Sequence, residues 1–473
     1  MMNKLKMMCL SALLIAPAVL LAQKVTWKVS TPGHYWLDEH SPKWSNTSGA
    51  GDAIEITDSM AQTIDGWGGT FSEICWNALS LIPEQQRQQV LNDLFGPDGL
   101  KFNLCRLPMG ANDLALSYYS YCDVDADFKM VNFNIDRDRY ILIPFVHAAQ
   151  RVNPSLRFWS SPWSPPAWMK INNHYACEVD HDATDHNGMP ADRAVELPCT
   201  ALKMQTQYLQ AYALYFSKYV QAYAQQGVPI DAVCIQNEPC STQKYPSCTW
   251  RPEDLAYFTG RFLGPQFERD GITTHIIYGT INRDNPDYTR VALSDPQAKK
   301  YFKGAGFQWD GKGAIPAISR EFPRLKMMHT EAECGNGSND WAAAEHTWWQ
   351  ISHYLRNGSC NFTYWNMVLD ERGSTTWGWR QNALITADTR TGKVAYHPEF
   401  YLMKHFGHYL QPAAKRIAIA GNRDDVLAFK NPDGHYVVLL VNQSDATKAI
   451  TINFNGKSLR LQLRGHSFNT LYI

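Results

Sequence analysis

Apolar runs of strand length alternate with longer runs of helical spacing between residues 64 and 368. The helical stretches lie at 83–95, at 201–226, after Pro252 and at 341–356. The strand-like runs, numbered one to eight, are residues 64–71, 102–110, 156–161, 232–235, 275–280, 306–310, 325–331 and 361–368. Strands that alternate with helices predict a parallel sheet, and eight repeats predict an α/β fold with a (β/α)8 TIM barrel.

The pattern changes at both ends of the chain, where short alternating runs have no helical partners. One set lies between residues 24 and 64, and the other follows residue 415. The second set carries hairpin signals at 431–434 and at Asn455-Gly456. We expect residues 23–62 and 411–473 to form one flanking β-sandwich domain, beside a catalytic barrel over residues 63–410.

The first 22 residues have the pattern of a secretory signal peptide. Lys4 and Lys6 precede an apolar run at 7–21, and Ala22-Gln23 is a suitable cleavage point. The apolar run is short for a membrane span, and no second run follows. We therefore expect a signal peptide at 1–22 and an extracytoplasmic mature protein, in the periplasm, at the cell surface or secreted.

The charge balance narrows the range of partners. The chain has 473 residues and a net charge of −1. It therefore lacks the positive excess that would indicate a nucleic acid or an anionic membrane as a partner. The spacing of Gly66–Gly69 is not that of a nucleotide-binding loop, and residues 180–186 fit neither an EF-hand nor a zinc pattern. We expect a monomer without a metal or other cofactor.

Aromatic residues and cysteines leave alternatives open. Sixteen Trp and 23 Tyr suit stacking on sugar rings, although most of them also fit packing of the barrel and its helices. After signal cleavage ten cysteines remain. An oxidising compartment would permit disulfides at Cys240 and Cys248 or at Cys177 and Cys199, but sequence does not fix the pairing. Buried thiols are expected at Cys105, Cys234 and Cys334.

Two glutamates follow apolar strands in the same way. Glu238 comes just after run four and Glu331 ends run seven, and 93 positions separate them. That distance is about three βαβ steps of roughly 30 residues, which matches strands four and seven of one barrel. Both carboxylates would then open onto the carboxyl-terminal face, where barrel active sites are built. The alternative is a structural glutamate paired with an arginine.

Arg106 lies on the second strand and points into a barrel that otherwise excludes charge. It needs a carboxylate partner, and Glu238 or Glu331 would supply one. Placed near Glu331, it would keep that group ionised, while the other carboxyl group stays protonated. One acid and one charged carboxylate indicate glycoside hydrolysis, in which Asn237 suits the sugar 2-hydroxyl. The sequence contains no G-x-S-x-G, H-E-x-x-H or Walker motif, and this argues against the other common hydrolase classes.

Five stretches in order resemble glycoside hydrolase family 30. They are Asn237-Glu238-Pro239, Arg-Leu-Pro-Met-Gly at 106–110, Ser-Pro-Trp-Ser-Pro-Pro at 161–166, Thr330-Glu331-Ala332 and Tyr364-Trp365-Asn366. Asn-Glu-Pro alone occurs in many barrel glycosidases, whereas the ordered set is specific. The family includes lysosomal-type glucosylceramidases and microbial β-1,6-glucanases, and the likeness extends over nearly the whole chain.

The resemblance implies roles for the site residues. Glu238 would be the acid/base and Glu331 the nucleophile of a retaining double displacement. A −1 glucose subsite would be lined by Arg106, Asp113, Trp163, Asn237 and Trp365. The strands also place Tyr278 and Trp309 near the same face as substrate-binding residues. Glucosylceramidase-like members commonly have Tyr where this chain has Trp309, which replaces a hydroxyl with a flat stacking surface.

The leading expectation for the substrate is β-1,6-glucan, cleaved internally. Trp163, Trp309 and Trp365 are expected to stand around the glutamates, and the closest likeness is to bacterial β-1,6-glucanases. A glucosylceramidase or an exo-acting β-glucosidase is the alternative. A glucuronate-reading xylanase would want a basic cluster at 111–121, which is absent. A non-catalytic glycan-binding barrel is a distant third, because both glutamates are present.

Overall fold

The computed structural model describes residues 25–47, 52–181, 187–420 and 423–473. The signal peptide expected at 1–22 lies outside these residues. No helix in the described ranges is long and apolar enough to cross a membrane.

Strands and helices follow each other in the order that the sequence predicts. The strands are β1 (Thr26–Thr31), β2 (His34–Asp38), β3 (Ala53–Ile56), β4 (Met60–Thr63), β5 (Gly66–Thr70), β6 (Leu104–Met109), β7 (Arg157–Pro162), β8 (Ile230–Cys234), β9 (His275–Ile281), β10 (Phe302–Gln308), β11 (Lys326–Glu331), β12 (Asn361–Asn366), β13 (Val368–Asp370), β14 (Ile385–Ala387), β15 (Val394–Tyr396), β16 (Lys415–Ile417), β17 (Val426–Lys430), β18 (Tyr436–Asn442), β19 (Lys448–Phe454), β20 (Lys457–Leu463) and β21 (Ser467–Tyr472). The α-helices are α1 (Glu73–Ser80), α2 (Glu84–Phe95), α3 (Asp136–Tyr140), α4 (Leu142–Val152), α5 (Thr206–Gln225), α6 (Pro252–Phe258), α7 (Gly264–Arg269), α8 (Asp287–Ser294), α9 (Pro296–Lys299), α10 (Gly311–Glu321), α11 (Trp341–Arg356) and α12 (Pro398–Gly407).

Strands β5 to β12 form one parallel sheet that curls into a nearly closed barrel, which confirms the predicted fold class. Strand β12 pairs with β5, and the remaining seam joins β11 to β12. At that seam Cys360 N donates to Met327 O at 2.8 Å and Ala332 N donates to Thr363 O at 3.0 Å. The strands are buried on both faces, as parallel strands under a helical layer must be.

The two ends of the chain join in a β-sandwich beside the barrel, as predicted. Its larger sheet has the order β2-β1-β21-β18-β17-β16-β4, and its smaller sheet has the order β20-β19-β3. Apolar side chains from both sheets fill the space between them, among them Val25, Ile54, Leu440 and Leu461. Because β1, β3 and β4 pair with strands from the other end of the chain, neither terminal segment completes the sandwich alone.

Two predicted boundaries are wrong for identifiable reasons. Strand six begins at Phe302, not at residue 306. The prediction missed its first residues because Gly304 interrupts the apolar pattern. A Cβ at Gly304 would lie 2.5 Å from the backbone oxygen of Lys326, so the sheet itself requires glycine there. Helix α5 begins at Thr206, not at residue 201. The backbone N–H of Ala201 donates to Thr249 O at 2.8 Å, which holds that segment extended.

Neither expected disulfide is present, and all ten cysteines in the described ranges are free thiols. Cys177 donates to the backbone oxygen of Ser247 at 3.3 Å, and Cys248 is fully buried. Burial also raises the pKa of Cys240 to about 11, so this thiol stays protonated. Buried thiols occupy the three expected barrel positions, Cys105, Cys234 and Cys334.

Candidate active site

A cleft of about 370 Å³ opens at the carboxyl ends of the barrel strands. Glu331 is the last residue of β11, and Glu238 lies in the turn after β8, and both line the cleft while only 6% exposed. The backbone of Glu238 has φ +48°, a left-handed conformation that costs energy outside glycine and is concentrated at functional sites. Two carboxyl groups from strands four and seven therefore meet at one face, as the sequence predicts.

The side-chain amide of Gln308 contacts both carboxyl groups. Its Nε2 lies 3.4 Å from Oε1 of Glu238 and 3.2 Å from Oε2 of Glu331. The hydroxyl of Thr330 donates to the amide oxygen of Gln308 at 2.8 Å, which fixes the orientation of the amide. The two glutamates are therefore close enough to share one donor.

Three side chains donate to Glu331. Arg106 contacts Oε2 through Nη1 at 2.6 Å, and Gln308 reaches the same oxygen. The indole N–H of Trp309 donates to Oε1 at 3.0 Å. A guanidinium group and two further donors therefore hold both oxygens of this carboxyl group in place.

Arg106 is fully buried and held by oxygen acceptors on several strands. Its Nη2 donates to Ser161 Oγ at 2.9 Å and to Asn237 Oδ1 at 2.7 Å, and its Nη1 donates to Thr330 O at 3.1 Å. These bonds fix the guanidinium where its charge faces Glu331. The expectation of an inward arginine paired with a glutamate is met at this contact.

Trp163 and Trp365 do not stand around the cleft. Each is 1% exposed, and their rings stack on one another with centroids 5.6 Å apart. The guanidinium of Arg106 lies 4.3 Å from the Trp163 ring and 5.5 Å from the Trp365 ring. Aromatic faces stabilise a buried cation. These tryptophans therefore stabilise the guanidinium of Arg106 and do not form a wall of the cleft.

Glu238 has a different environment from Glu331. Gln243 Nε2 and the hydroxyl of Tyr245 donate to its Oε2 at 3.2 Å and 3.1 Å. Burial raises the pKa of Glu238 to about 7, and the negative charge of Glu331 acts in the same direction. The site thus separates a carboxyl group that keeps its proton near neutral pH from one that faces a fixed positive charge.

Asp113 and Asn237 are both brought to the site. Burial raises the pKa of the Asp113 carboxyl well above its usual range, and the charges of Glu331 and Glu238 add to the shift. Its Oδ1 is buried and has no hydrogen-bond partner among the residues that the structure describes, which is costly unless a ligand supplies a donor. The amide oxygen of Asn237 accepts from Arg106 and from Gln308, at 2.7 Å and 3.2 Å.

Trp309 lines the cleft and also makes a contact that the sequence does not predict. The substitution of Trp for Tyr was expected to remove a hydrogen-bonding group, yet the indole N–H donates to Glu331. Its backbone has φ +47°, and this left-handed residue directly follows β10. Trp309 therefore combines a donor to the carboxylate with a flat, partly exposed face.

Tyr278 is not brought to the site. It lies on β9 with its ring packed at 5.2 Å against Phe302, and its hydroxyl donates to Tyr288 O at 2.8 Å. Neighbouring side chains on a strand point to opposite faces, and Ile277 occupies the barrel interior. Tyr278 therefore packs between the strands and the helices.

The polar and aromatic residues of the site that were missed from the sequence include Gln243, Tyr245, Gln308 and Trp379. Gln308 had a usable signal, because it ends an apolar strand just as Asn237 and Glu238 follow one. Tyr245 and Trp379 come from two long loops and pack with ring centroids 5.2 Å apart. No local pattern connects those loops, so only the fold brings them together.

A TIM barrel with two close carboxyl groups in different environments at its carboxyl-terminal face has the site of a glycoside hydrolase. The chain belongs to glycosyl hydrolase family 30, whose TIM-barrel domain matches residues 64–410 and whose β-sandwich domain matches residues 414–471. The predicted family is thereby confirmed, and the protein is an enzyme of the glycoside hydrolase class.

Relatives of this chain are named for two different activities. Mouse lysosomal acid glucosylceramidase is 26% identical over 435 residues, which cover 86% of this chain and 81% of that protein. Neurospora crassa endo-1,6-β-D-glucanase is 24% identical over 469 residues, with 91% of each chain covered. The solved structure of the endo-β1,6-glucanase BT3312 superposes with a TM-score of 0.80 at 23% identity, over 95% of this chain and 98% of that one. At that identity the structural likeness shows the fold.

Proposed function

We propose that this protein is a retaining glycoside hydrolase that cleaves β-linked glucan, with internal bonds of β-1,6-glucan as its leading substrate. The observation that carries the retaining mechanism is the single Gln308 amide in contact with both Glu238 and Glu331. Retaining enzymes place their carboxyl groups about 5–5.5 Å apart, whereas inverting enzymes need about 6.5–9.5 Å to admit a water. A shared donor favours the closer spacing.

In the first step Glu331 attacks the anomeric carbon while Glu238 gives its proton to the leaving glycosidic oxygen. The bond from the anomeric carbon to that oxygen breaks, and a glycosyl ester forms on Glu331. In the second step the ionised Glu238 removes a proton from water, whose oxygen attacks the same carbon and releases Glu331. Each step inverts the configuration, so the product keeps the β configuration.

Sugar binding is assigned to the groups that stay unsatisfied or half-exposed at the cleft. The buried Oδ1 of Asp113 has no partner and suits a sugar hydroxyl. Trp309 and Trp379 line the cleft with Tyr245 and offer aromatic faces for stacking. Such a wall suits a chain of sugars more than a single headgroup, which favours the polysaccharide.

The names of relatives support two substrates, and one assay separates them. The match to the Neurospora crassa endo-1,6-β-D-glucanase over 91% of each chain favours β-1,6-glucan, while the mouse relative keeps glucosylceramide as the second candidate. The enzyme should be given linear β-1,6-, β-1,3- and β-1,4-glucans and glucosylceramide. We expect β-1,6-linked oligosaccharides of mixed length from the first minutes. Release of glucose alone would contradict internal cleavage, and faster turnover of glucosylceramide would contradict the polysaccharide assignment.

We also propose that residues 1–22 are a cleaved signal peptide and that the mature enzyme is an extracytoplasmic monomer. The support is the charged and apolar pattern of these residues in the sequence. Mass spectrometry of the protein recovered from its own cells should give a chain that starts at Gln23. A chain that keeps residues 1–22 would contradict the proposal.

A further inference from the structure

A cavity of about 530 Å³ lies at the end of the barrel opposite the two glutamates. Asp65, which precedes β5, and Lys326, which begins β11, belong to its lining, so it lies at the amino ends of the strands. Gln62 on β4 and Arg416 on β16 add the edge of the sandwich. The cavity therefore lies where the barrel and the sandwich meet, away from the reaction.

The lining of this cavity is strongly basic. It carries four cationic side chains, from Arg324, Lys326, Arg356 and Arg416, and Asp65 is the one carboxylate among the described residues that line it. Asp65 forms an ion pair with Lys326. Among its described residues the lining therefore carries more positive than negative charge.

Arg416 is held in place by neutral groups. Its Nε donates to Oε1 of Gln62 at 3.0 Å, and its Nη1 donates to the backbone oxygen of Ile417 at 3.4 Å. Gln62 is itself anchored, since its Nε2 donates to Leu355 O at 2.6 Å and to Ser359 O at 2.8 Å. This half-buried guanidinium is thus oriented before any ligand arrives.

The positive charges in the cavity repel one another. Burial, followed by the nearby charge of Arg356, lowers the pKa of Arg416 to about 10. Two positive groups gathered in a partly dehydrated space raise the free energy of the folded protein, and a bound anion would offset that cost. Guanidinium groups match tetrahedral and carboxylate oxyanions through paired N–H donors.

We propose that this cavity is a binding site for a small oxyanion of the sulfate or phosphate class, either free or carried by a sugar. The site is separate from the cleft, so its occupancy stabilises the junction of barrel and sandwich without entering the hydrolytic reaction. The geometry of Arg416 and the basic lining carry this assignment, and it does not depend on which glycan the enzyme cleaves.

The test measures the melting temperature of the full-length protein while sodium sulfate replaces sodium chloride at constant ionic strength. Sulfate should raise the melting temperature of the wild type along a saturating curve, as expected for a ligand of the native state. Arg416→Gln should weaken sulfate binding at least about tenfold, because it removes a charge-assisted contact. Arg460→Gln, an exposed sandwich residue outside the cavity, should bind sulfate like the wild type.

Other measurements keep the proposal falsifiable. In sulfate-free buffer Arg416→Gln should hydrolyse an aryl glucoside at the wild-type rate, which shows that it folds. If it does not fold, Arg324→Gln at the exposed rim takes its place and should also weaken binding. Glucose 6-sulfate that binds more tightly than sulfate, with glucose itself inert, supports a sugar-borne anion, and equal binding supports the free ion. A wild-type response no larger than that to chloride, or an undiminished response in the cavity variants, would overturn the site.

Discussion

The hydrogen bond from Trp309 to Glu331 shows how one residue type replaces the function of another. The indole N–H reaches Oε1 at 3.0 Å while the ring still lines the cleft. A bond to a charged group contributes about 1.5–3 kcal/mol, and the flat ring adds stacking area. Trp309 should therefore affect the reaction itself as well as the binding of long chains.

Trp309→Phe should separate these two roles, because phenylalanine keeps a flat ring and loses the donor. We expect kcat/KM to fall about tenfold or more on β-1,6-glucan and equally on a minimal aryl glucoside. Trp379→Phe is the matched control: Trp379 lines the cleft but, among the described residues, makes no hydrogen bond to either glutamate, so this variant should leave the rate on the aryl glucoside unchanged. An unchanged rate of Trp309→Phe on the aryl glucoside would show that the bond is not used in the transition state.

Glu238 gives the reaction a defined pH dependence. Its pKa is raised to about 7, mainly by burial, and the first step on an ordinary leaving group needs its protonated form. The rate constant kcat/KM should therefore fall as pH rises through about 7, by tenfold per unit once Glu238 is ionised. With a dinitrophenyl glucoside, whose leaving group needs no proton, this loss should be absent from the wild type and from Glu238→Gln alike. A loss of the same form in that variant would assign the titration to another group.

At the scale of elements, the structure connects the loop after β6 to α3 and α5 through a buried carboxylate. Asp138 on α3 accepts bonds from the hydroxyls of Tyr119 at 2.9 Å, Tyr121 at 2.7 Å and Tyr223 at 2.5 Å. Burial raises the pKa of Asp138 to about 6 against the opposing effect of the three tyrosine bonds. The same loop continues from Asp113, so this network holds the wall of the cleft.

Tyr223→Phe should destabilise the protein in a pH-dependent manner. At pH 7 Asp138 is ionised, and loss of a donor to a buried charge should lower the free energy of unfolding by about 1.5–3 kcal/mol. The folded pKa is about 6 and the unfolded value is about 3.9. Below about pH 5 the carboxyl group is mostly protonated in the folded state, so the loss should shrink.

Urea unfolding at pH 7 and pH 5 measures this difference. Tyr212→Phe is the control on the same helix. The hydroxyl of Tyr212 is buried and has no hydrogen-bond partner in the described part of the chain, so its loss should be neutral or slightly stabilising. Equal losses for the two variants, or a Tyr223→Phe loss that does not depend on pH, would contradict a charged Asp138 as the acceptor.

The sequence predicted the elements better than the directions of their side chains. All eight barrel strands were found, since each is a short apolar run between helical stretches. Which residues face inward was not predictable for β9, because strands buried on both faces lack the period of two, and so Tyr278 was misplaced. Trp163 and Trp365 were wrongly predicted to line the cleft, because their burial depends on contact with the Arg106 guanidinium from another strand.

At the scale of the whole molecule, the barrel has two ends with opposite electrostatic character. The cleft gathers the carboxyl groups Asp113, Glu238 and Glu331 around one arginine, and the opposite cavity gathers arginines around one carboxylate. The sandwich borders the second end, and none of its described residues lines the first. That Glu238 and Glu331 meet at one face was predictable because strand order fixes it, whereas Tyr245, Trp379 and the basic cavity arise from contacts between distant segments.

The central claim is that Glu331 forms a covalent glycosyl intermediate, and trapping that intermediate tests it most directly. Incubation with 2,4-dinitrophenyl 2-deoxy-2-fluoro-β-glucoside should slow the second step and leave one fluoroglucosyl group on the enzyme. Peptide mapping by mass spectrometry should place that group on Glu331, in wild type and in Glu238→Gln, and on no residue in Glu331→Gln. A label on Glu238, or hydrolysis of the reagent with no adduct at any stage, would contradict the account.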